Sequence, residues 1–242
     1  MNAFATAALA AVLALSACDK AQPDAAFGEK VRTYLLAHPE VLEEVSMKLA
    51  EKKQLEAIKA SSAAIDRHRA QLERDPRDLV VNPTGQITVV EFYDYRCGYC
   101  KVIAPKVNQL IRENPDVRFV FKELPIFGEV SDTAARLALT PVVKAKGLDV
   151  YSRWMNEKSL TDAALDRHLQ AAGVDPGAAR VAAQSGAISR HLADTQALAR
   201  ALGIQGTPAF VVGDTLIPGA DEGALRAAIV QAKAGGGLKR IS

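Results

Sequence analysis

The sequence predicts an α/β fold that carries a helical insertion and is preceded by an N-terminal helical stalk. The apolar run Ile87–Tyr93 is typical of a buried strand. A helical stretch from Cys97 to about Glu113 and a second strand at 117–122 follow, which is the βαβ order. Residues 131–203 are helical in pattern throughout, and a charged, alanine-rich stretch at 40–74 predicts one long helix.

The first residues of the chain have the pattern of an export signal. Residues 3–15 are apolar, about as long as the apolar core of a signal peptide and too short to span a bilayer. They end in Leu15-Ser16-Ala17-Cys18, which resembles a bacterial lipobox, although Met1-Asn2 supplies no positive charge. We expect 1–18 to be a signal peptide and Cys18 to be lipidated. The alternative is an ordinary cleaved signal without a lipid.

Export determines the compartment in which the protein works. The periplasm or cell envelope is oxidising, so disulfide chemistry is useful there. If Cys18 carries a lipid, it anchors the protein to a membrane, and the Asp19 that follows implies retention at the inner membrane by resemblance to enteric lipoproteins.

Residues 19–80 are predicted to form the stalk. A short helix at 27–37 is interrupted by Pro39, which cannot continue a helix interior but starts a new helix well. The long helix then carries a narrow, largely apolar seam that begins with Leu42, Val45 and Leu49. After a shift in spacing the seam continues with Leu55, Ile58, Ser62, Ile65, Arg69 and Leu72. Such a helix seldom stands alone in water. We expect it to pack on other copies of the chain, giving a possible homotrimer; the alternative is packing on its own domain.

Loop signals at 75–78 and 82–85 separate the stalk from a domain that we place at 81–242. Within the insertion, at about 131–203, further helix boundaries are indicated by Thr161, Asp175-Pro176 and Gly203. A hairpin at 208–217 and a final helix capped by Asp221 complete the predicted elements.

The motif Cys97-Gly98-Tyr99-Cys100 stands where the first strand gives way to a helix, which is the sequence form of a thiol–disulfide exchange centre. The chain has three cysteines, and its four histidines are scattered, so the four ligands of a structural zinc site are not in evidence. We therefore expect no metal and no cofactor. A net charge of +2 without a basic patch argues against nucleic acid as a partner.

Each cysteine of the motif has an expected role. Cys97 falls at the N-terminus of the helix, where unpaired N–H groups and the helix dipole favour an anion, so it should be the nucleophile. Cys100 lies one turn further on and should be the resolving thiol. The alternative is a structural disulfide, which would stabilise little in so small a loop.

The predicted strand at 87–93 carries an acidic residue, Glu91, in the middle of its apolar run. Glu91 lies six residues before Cys97, and its burial costs free energy unless it is solvated or paired. Lys122, at the end of the neighbouring strand, is a candidate partner. The alternative is a solvent-facing edge position for both side chains.

The order of strand, Cys-x-x-Cys helix, strand, helical insertion, Gly206-Thr207-Pro208, hairpin and helix resembles the DsbA-like branch of the thioredoxin superfamily over about 89–233. The N-terminal segment, Asp75-Pro76 and Phe121–Pro125 narrow the resemblance to its ScsC-type subgroup.

The resemblance implies a thioredoxin-like fold and activity as a protein disulfide oxidoreductase. It also implies a cis peptide before Pro208, with the backbone of Thr207 pairing with substrate like an added strand. The acidic residue at Glu91 would take the proton of Cys100. Members of the subgroup can trimerise through the N-terminal helices and act as isomerases, whereas others in the branch are monomeric oxidases.

Gly98 and Tyr99 are expected to tune the redox potential. Strong oxidants of this fold have a histidine where Tyr99 stands, so we expect a less extreme thiolate and favour isomerisation or reduction. The alternatives are an oxidase that introduces disulfides and an oligomeric holdase or scaffold. The expected partners are unfolded or misoxidised envelope proteins and a membrane thiol–disulfide recycling protein.

Overall fold

The computed structural model describes residues 25–235, so the signal segment and Cys18 lie outside the described residues. The chain divides into two compact units, one ending at Lys53 and the other beginning at Gln54. None of the helices within 25–235 combines the length and the apolar character needed to cross a membrane.

The first unit consists of helical segments with exposed apolar side chains. Helix α1 spans Ala25–Ala37, and helix α2 starts at Glu40 and extends to Glu73, so the predicted break at Pro39 is confirmed. No side chain at 25–53 is buried. The large apolar side chains exposed there are Phe27, Val31, Tyr34, Leu36, Leu42, Val45, Met47 and Leu49.

The second unit is built on a five-stranded mixed sheet of order β1-β3-β2-β4-β5. Strands β2 and β3 are parallel, and every other neighbouring pair is antiparallel. The strands are β1 (Leu79–Val81), β2 (Ile87–Tyr93), β3 (Val117–Glu123), β4 (Ala209–Val212) and β5 (Thr215–Pro218). Strand β1 was not predicted: it is an edge strand of three residues between two turn signals.

Helix α3 joins the two parallel strands, and the helical insertion lies between β3 and β4. The helices are α3 (Gly98–Glu113), α4 (Glu129–Ala138), α5 (Pro141–Lys144), α6 (Gly147–Asn156), α7 (Asp162–Ala171), α8 (Pro176–Ala183), α9 (Gly186–Ala201) and α10 (Glu222–Ala234). Thr161, Asp175 and Asp221 are N-caps, as predicted. Gly203 follows α9 with a φ of 74°, a conformation that favours glycine at a helix end. The predicted thioredoxin-like fold with its insertion is therefore confirmed.

The C-terminal part of α2 packs on one face of the sheet. Ala64, Ile65 and Leu72 are buried in a core cluster with side chains of β2, β3 and β4. Arg118 on β3 also donates to the carbonyl of Glu73 at 2.8 Å, which satisfies one of the free carbonyls at the end of the helix. For this part of the long helix the alternative of packing on its own domain is the correct one, whereas Leu55 and Ile58 remain exposed.

Candidate active site

Cys97 forms the N-cap of α3. Its backbone has extended geometry, with φ −68° and ψ 120°, and its Sγ accepts a hydrogen bond from the N–H of Cys100 at 3.4 Å. The N–H of Cys97 is itself held by the carbonyl of Asp94 at 3.1 Å. Both cysteines are buried thiols. The sequence prediction that places the sulfur of Cys97 at the start of a helix is confirmed.

The loop before β4 also contacts the sulfur of Cys97. The peptide between Thr207 and Pro208 is cis, as the resemblance implies. The thiol of Cys97 donates to the carbonyl of Thr207 at 3.1 Å, a contact between residues 110 positions apart in the chain. The hydroxyl oxygen of Thr207 is buried and has no hydrogen-bond partner among the described residues.

The pKa values of the two thiols are shifted in opposite directions. The pKa of Cys97 is lowered from 9.0 to about 6, chiefly by the hydrogen bond from the Cys100 thiol and further by the Thr207 side chain and the N–H groups of Cys100 and Tyr99. Burial opposes this shift. The pKa of Cys100 is raised, first by burial and then by its bond to Cys97 and by the charge of Glu91. Near neutral pH the site therefore holds a thiolate at Cys97 beside a protonated thiol at Cys100.

Glu91 lies within β2 and is only 2% exposed. Both carboxylate oxygens accept from the hydroxyl of Tyr151 on α6, each at 3.2 Å. Burial raises the pKa of Glu91 to about 8, although the Tyr151 bond works against that rise. A carboxyl group with this pKa can exchange a proton near neutral pH.

The expected pairing of Glu91 with Lys122 is wrong, and so is a solvent-facing position for either side chain. Lys122 stands opposite Phe92 in the ladder, and because successive residues of a strand face opposite sides of the sheet, it points away from Glu91. Its ammonium group is buried against the carboxylate of Asp78 and the carbonyl of Gln71.

A second buried acid lies on the same face of the sheet as Glu91. The carboxylate of Glu123 accepts from the hydroxyls of Tyr93 and Tyr95, and burial raises its pKa well above the ordinary value. Sequence reasoning missed Tyr151 and Glu123. The alternation of β3, which sets Glu123 on the face of Phe121, is the one signal that could have indicated the latter.

Apolar side chains are exposed near the sulfur. Tyr99 is 71% exposed, as expected, and Val102 follows it one turn along α3. Ile126 and Phe127, in the loop after β3, are also exposed. Nothing lies within 4 Å of the position that a side chain on Gly98 would occupy, so its role in tuning the potential stays a prediction.

No group of three or more histidine, cysteine or acidic side chains within 25–235 is arranged to hold a metal ion. Strand β2 and helix α3 carry Glu91, Cys97 and Cys100, and the loop before β4 brings Thr207 and Pro208 to the sulfur of Cys97.

The chain is similar to several solved structures. BcfH from Salmonella enterica Typhimurium is 36% identical, with a TM-score of 0.76 over 86% of this chain and 95% of that one. A periplasmic thioredoxin-like protein from Salmonella enterica serovar Typhimurium is 33% identical, with a TM-score of 0.63 over 69% and 95% of the two chains. ScsC from Proteus mirabilis, in a transitional conformation, is 28% identical, with a TM-score of 0.65 over 88% and 100%.

Curated relatives match over shorter stretches. Thioredoxin-like 1-3, chloroplastic, from Arabidopsis thaliana is 40% identical over 48 residues, which are 19% of this chain and 18% of that protein. The family model for the copper resistance protein ScsC N-terminal domain matches residues 24–56. The model for the DSBA-like thioredoxin domain matches residues 88–229, more than half of the chain. With its Cys-x-x-Cys at the start of α3 and its ScsC-like N-terminal segment, the chain belongs to the DsbA-like family of thiol–disulfide oxidoreductases.

Proposed function

We propose that this protein is an exported thiol–disulfide oxidoreductase that rearranges or reduces disulfides in envelope proteins. The observation that carries the proposal is the separation of the two thiols: the pKa of Cys97 is lowered to about 6, whereas that of Cys100 is raised. Near neutral pH the Cys97 thiolate can therefore attack a disulfide, while Cys100 remains protonated.

The reaction begins when the Cys97 thiolate attacks a sulfur of the substrate disulfide. A bond forms between the two sulfurs, the substrate S–S bond breaks, and the second substrate sulfur leaves as a thiolate. The product is a mixed disulfide between Cys97 and the substrate. The contact between the Cys97 sulfur and the carbonyl of Thr207 supports the pairing of the Thr207 backbone with the bound chain that the resemblance implies.

The mixed disulfide can then be resolved in two ways. In isomerisation a second substrate thiolate attacks the substrate sulfur, which releases Cys97 as a thiolate and leaves a new disulfide in the substrate. In reduction Cys100 gives its proton to the ionised form of Glu91 and attacks the sulfur of Cys97. The Cys97–Cys100 disulfide forms, the mixed disulfide breaks, and the substrate sulfur leaves as a thiolate, so the enzyme is oxidised as the substrate is reduced. Continued reduction requires a dithiol donor, for which we propose a membrane thiol–disulfide recycling protein.

Export and location form part of the proposal. The apolar segment before Cys18 supports export. The similarity to a periplasmic thioredoxin-like protein and to ScsC supports the cell envelope as the compartment. Lipidation of Cys18 would anchor the protein to the membrane, and mass spectrometry of the native mature N-terminus tests it.

We further propose that the stalk associates with other copies of the chain, most simply as a homotrimer. The support is the row of exposed apolar side chains on α1 and on α2 as far as Ile58. The match of residues 24–56 to the ScsC N-terminal domain supports the same role.

The enzymatic proposal is tested with insulin reduction and with refolding of scrambled ribonuclease. Cys97→Ser should abolish both activities. Cys100→Ser should lose insulin reduction but keep measurable isomerisation, because that route does not need the second thiol. Full activity of Cys97→Ser in either assay would exclude the proposed chemistry and would leave a holdase or scaffold as the better account.

The oligomer is tested by removing residues 25–53. A longer deletion through Asp75 would also remove Ala64, Ile65 and Leu72, which are buried in the second unit, and would unfold the part that carries the active site. Sedimentation should show an oligomer for the intact mature chain and a monomer for the shortened one, with isomerase activity reduced in the monomer. A monomeric intact chain would refute the role of the stalk.

An oxidase remains the second candidate, because a lowered pKa at Cys97 stabilises the reduced enzyme and so favours acceptance of electrons from substrates. The reduction potential of the Cys97–Cys100 pair distinguishes the two. A potential near about −120 mV would favour oxidation, and a more negative one isomerisation or reduction.

A further inference from the structure

Asp94 lies in the turn between β2 and α3, and its side chain is buried. Its Oδ1 accepts from the N–H of Arg96 at 2.7 Å and from the hydroxyl of Ser131 at 2.8 Å. Its Oδ2 accepts from the N–H groups of Ile126 at 2.7 Å and Phe127 at 3.1 Å. Four donors on two oxygens satisfy a buried carboxylate without the help of a cation.

The same residue is joined to the active-site turn and to the loop after β3. Its carbonyl accepts from the N–H of Cys97 at 3.1 Å. Arg96 makes a second link to the loop, since its guanidinium donates to the carbonyl of Phe127 at 2.7 Å. We call residues 124–128 the loop segment. It ends at Gly128, whose φ of 92° favours glycine and lets the chain turn into α4.

The loop segment presents apolar side chains next to the turn that holds the reactive sulfur. Phe127 is 47% exposed and Ile126 is similarly exposed. A substrate cysteine must come into bonding contact with Cys97, so the residues that flank it must pass over the surface beside this turn. Apolar flanking residues are accessible in unfolded or misoxidised proteins and are mostly buried in native ones.

We propose that Asp94 is a positioning residue that holds the loop segment beside Cys97, so that Ile126 and Phe127 contact the apolar residues flanking a substrate cysteine. This inference rests on the proposed function and adds to it a preference for apolar protein segments over small polar disulfides. Asp94 takes no part in the bond exchange, and its effect reaches the substrate through the loop segment.

A carboxylate suits this task better than its neutral analogues. Each oxygen accepts two hydrogen bonds, whereas an asparagine offers a single oxygen and must turn its NH2 group toward two of the four donors. With its oxygen on Ile126 and Phe127, the asparagine could still donate to Ser131 but would oppose the N–H of Arg96. Asp94→Asn should therefore weaken the attachment of the loop segment, and Asp94→Ala should remove it.

The test compares two substrates in the intact mature protein. Reduction of insulin requires contact with a protein chain, whereas reduction of oxidised glutathione requires little more than access to the sulfur. Asp94→Ala should raise KM for insulin about tenfold with kcat within about twofold, as expected when part of one aromatic contact is lost. The ratio of the insulin rate to the glutathione rate should fall by a similar factor, and Asp94→Asn should lie between Asp94→Ala and wild type.

Two further variants connect the effect to the loop segment. Phe127→Ser removes the side chain but leaves the hydrogen bonds of Asp94, and it should raise KM for insulin on its own. If Asp94 acts through that side chain, adding Asp94→Ala to Phe127→Ser should change KM by less than about twofold. Asp132→Ala, which removes a partly exposed aspartate of α4 together with its ion pair to Arg136, is the matched control and should behave as wild type.

Three results would overturn the inference. The first is an equal loss of the insulin and glutathione rates in Asp94→Ala, together with a changed titration of Cys97, which would make Asp94 a structural support of the cysteine turn alone. The second is an unchanged KM in Phe127→Ser, a variant that does not depend on whether Asp94→Ala folds. The third is full additivity in the double variant. Absence of any thiol–disulfide activity in the wild type would instead refute the proposed function.

Discussion

Replacing Glu91 with glutamine should stabilise the fold by an amount that depends strongly on pH. The side chain is buried within β2, and its polar contact is the hydroxyl of Tyr151. Glutamine has nearly the same shape and keeps an oxygen that can accept this hydrogen bond. The substitution therefore removes a titratable proton while leaving the packing in place.

The magnitude follows from the pKa of Glu91, which is about 8 in the folded protein against an ordinary value of 4.5. Since the folded pKa is the higher one, the folded state is most favoured below pH 4.5 and loses stability as the pH rises toward 8. At pH 7 this loss is about 3 kcal/mol, and above pH 8 it levels off near 5 kcal/mol. Glutamine suffers no such loss, so Glu91→Gln should gain about 3 kcal/mol at pH 7 and almost nothing near pH 4.5.

Urea unfolding of the oxidised protein measures the effect without interference from the cysteine thiols, which do not titrate in a disulfide. The two proteins should have similar unfolding free energies near pH 4.5 and should diverge as the pH rises to about 8. Glu129→Gln, at an exposed position of α4, is the control and should change stability by less than about 0.5 kcal/mol. A difference between Glu91→Gln and wild type that stays the same at every pH would refute the raised pKa.

Ultraviolet absorbance of the thiolate should titrate with a midpoint near pH 6 in the native reduced protein and near pH 9 in urea; a native midpoint above 8 would contradict the hydrogen bonds assigned to Cys97. Tyr99→His should raise the reduction potential by roughly 30 mV or more, because an imidazolium beside the sulfur stabilises the thiolate; a potential equal to the wild-type value would be inconsistent with this. Ile65→Ala should cost about 2–4 kcal/mol of unfolding free energy, since Ile65 is fully buried on the sheet. Val181→Ala, at an exposed position of α8, should cost less than about 0.5 kcal/mol, and similar costs for the two would refute the packing of α2.

The centre of the site could be predicted from the sequence because its parts are close together in the chain. A strand, a turn and a Cys-x-x-Cys place Cys97 at a helix start by local rules alone. Tyr99 lies in the first turn of that helix and is exposed there. The place of Thr207 and Pro208 beside the sulfur came from the resemblance, since no local pattern connects segments 110 residues apart.

The surroundings of Glu91 could not be predicted in the same way. Its partner Tyr151 lies 60 residues away, on a helix of the insertion, and nothing in the periodicity of that helix marks one tyrosine as a donor. The expected partner Lys122 was excluded by strand register, which a sequence reveals only once the pairing of β2 with β3 is known. Strand β1 was not predicted for another reason: three residues are too few to show an alternation of apolar and polar side chains.

The stability of the Cys97 thiolate affects whether the protein favours oxidation or reduction of its substrates. A pKa of about 6 stabilises the reduced enzyme at pH 7 by at most about 1.4 kcal/mol. Strong oxidants of the superfamily, with a pKa of about 3.5, gain nearly 5 kcal/mol in the same way. The difference corresponds to about 70 mV of oxidising power. The groups that lower the pKa of Cys97 are hydrogen-bonding neighbours on α3 and at Thr207, with no charged side chain among them. Because its thiolate is less stabilised than that of a strong oxidant, the oxidised Cys97–Cys100 pair accepts electrons less readily, and this supports the proposed isomerisation or reduction over oxidation.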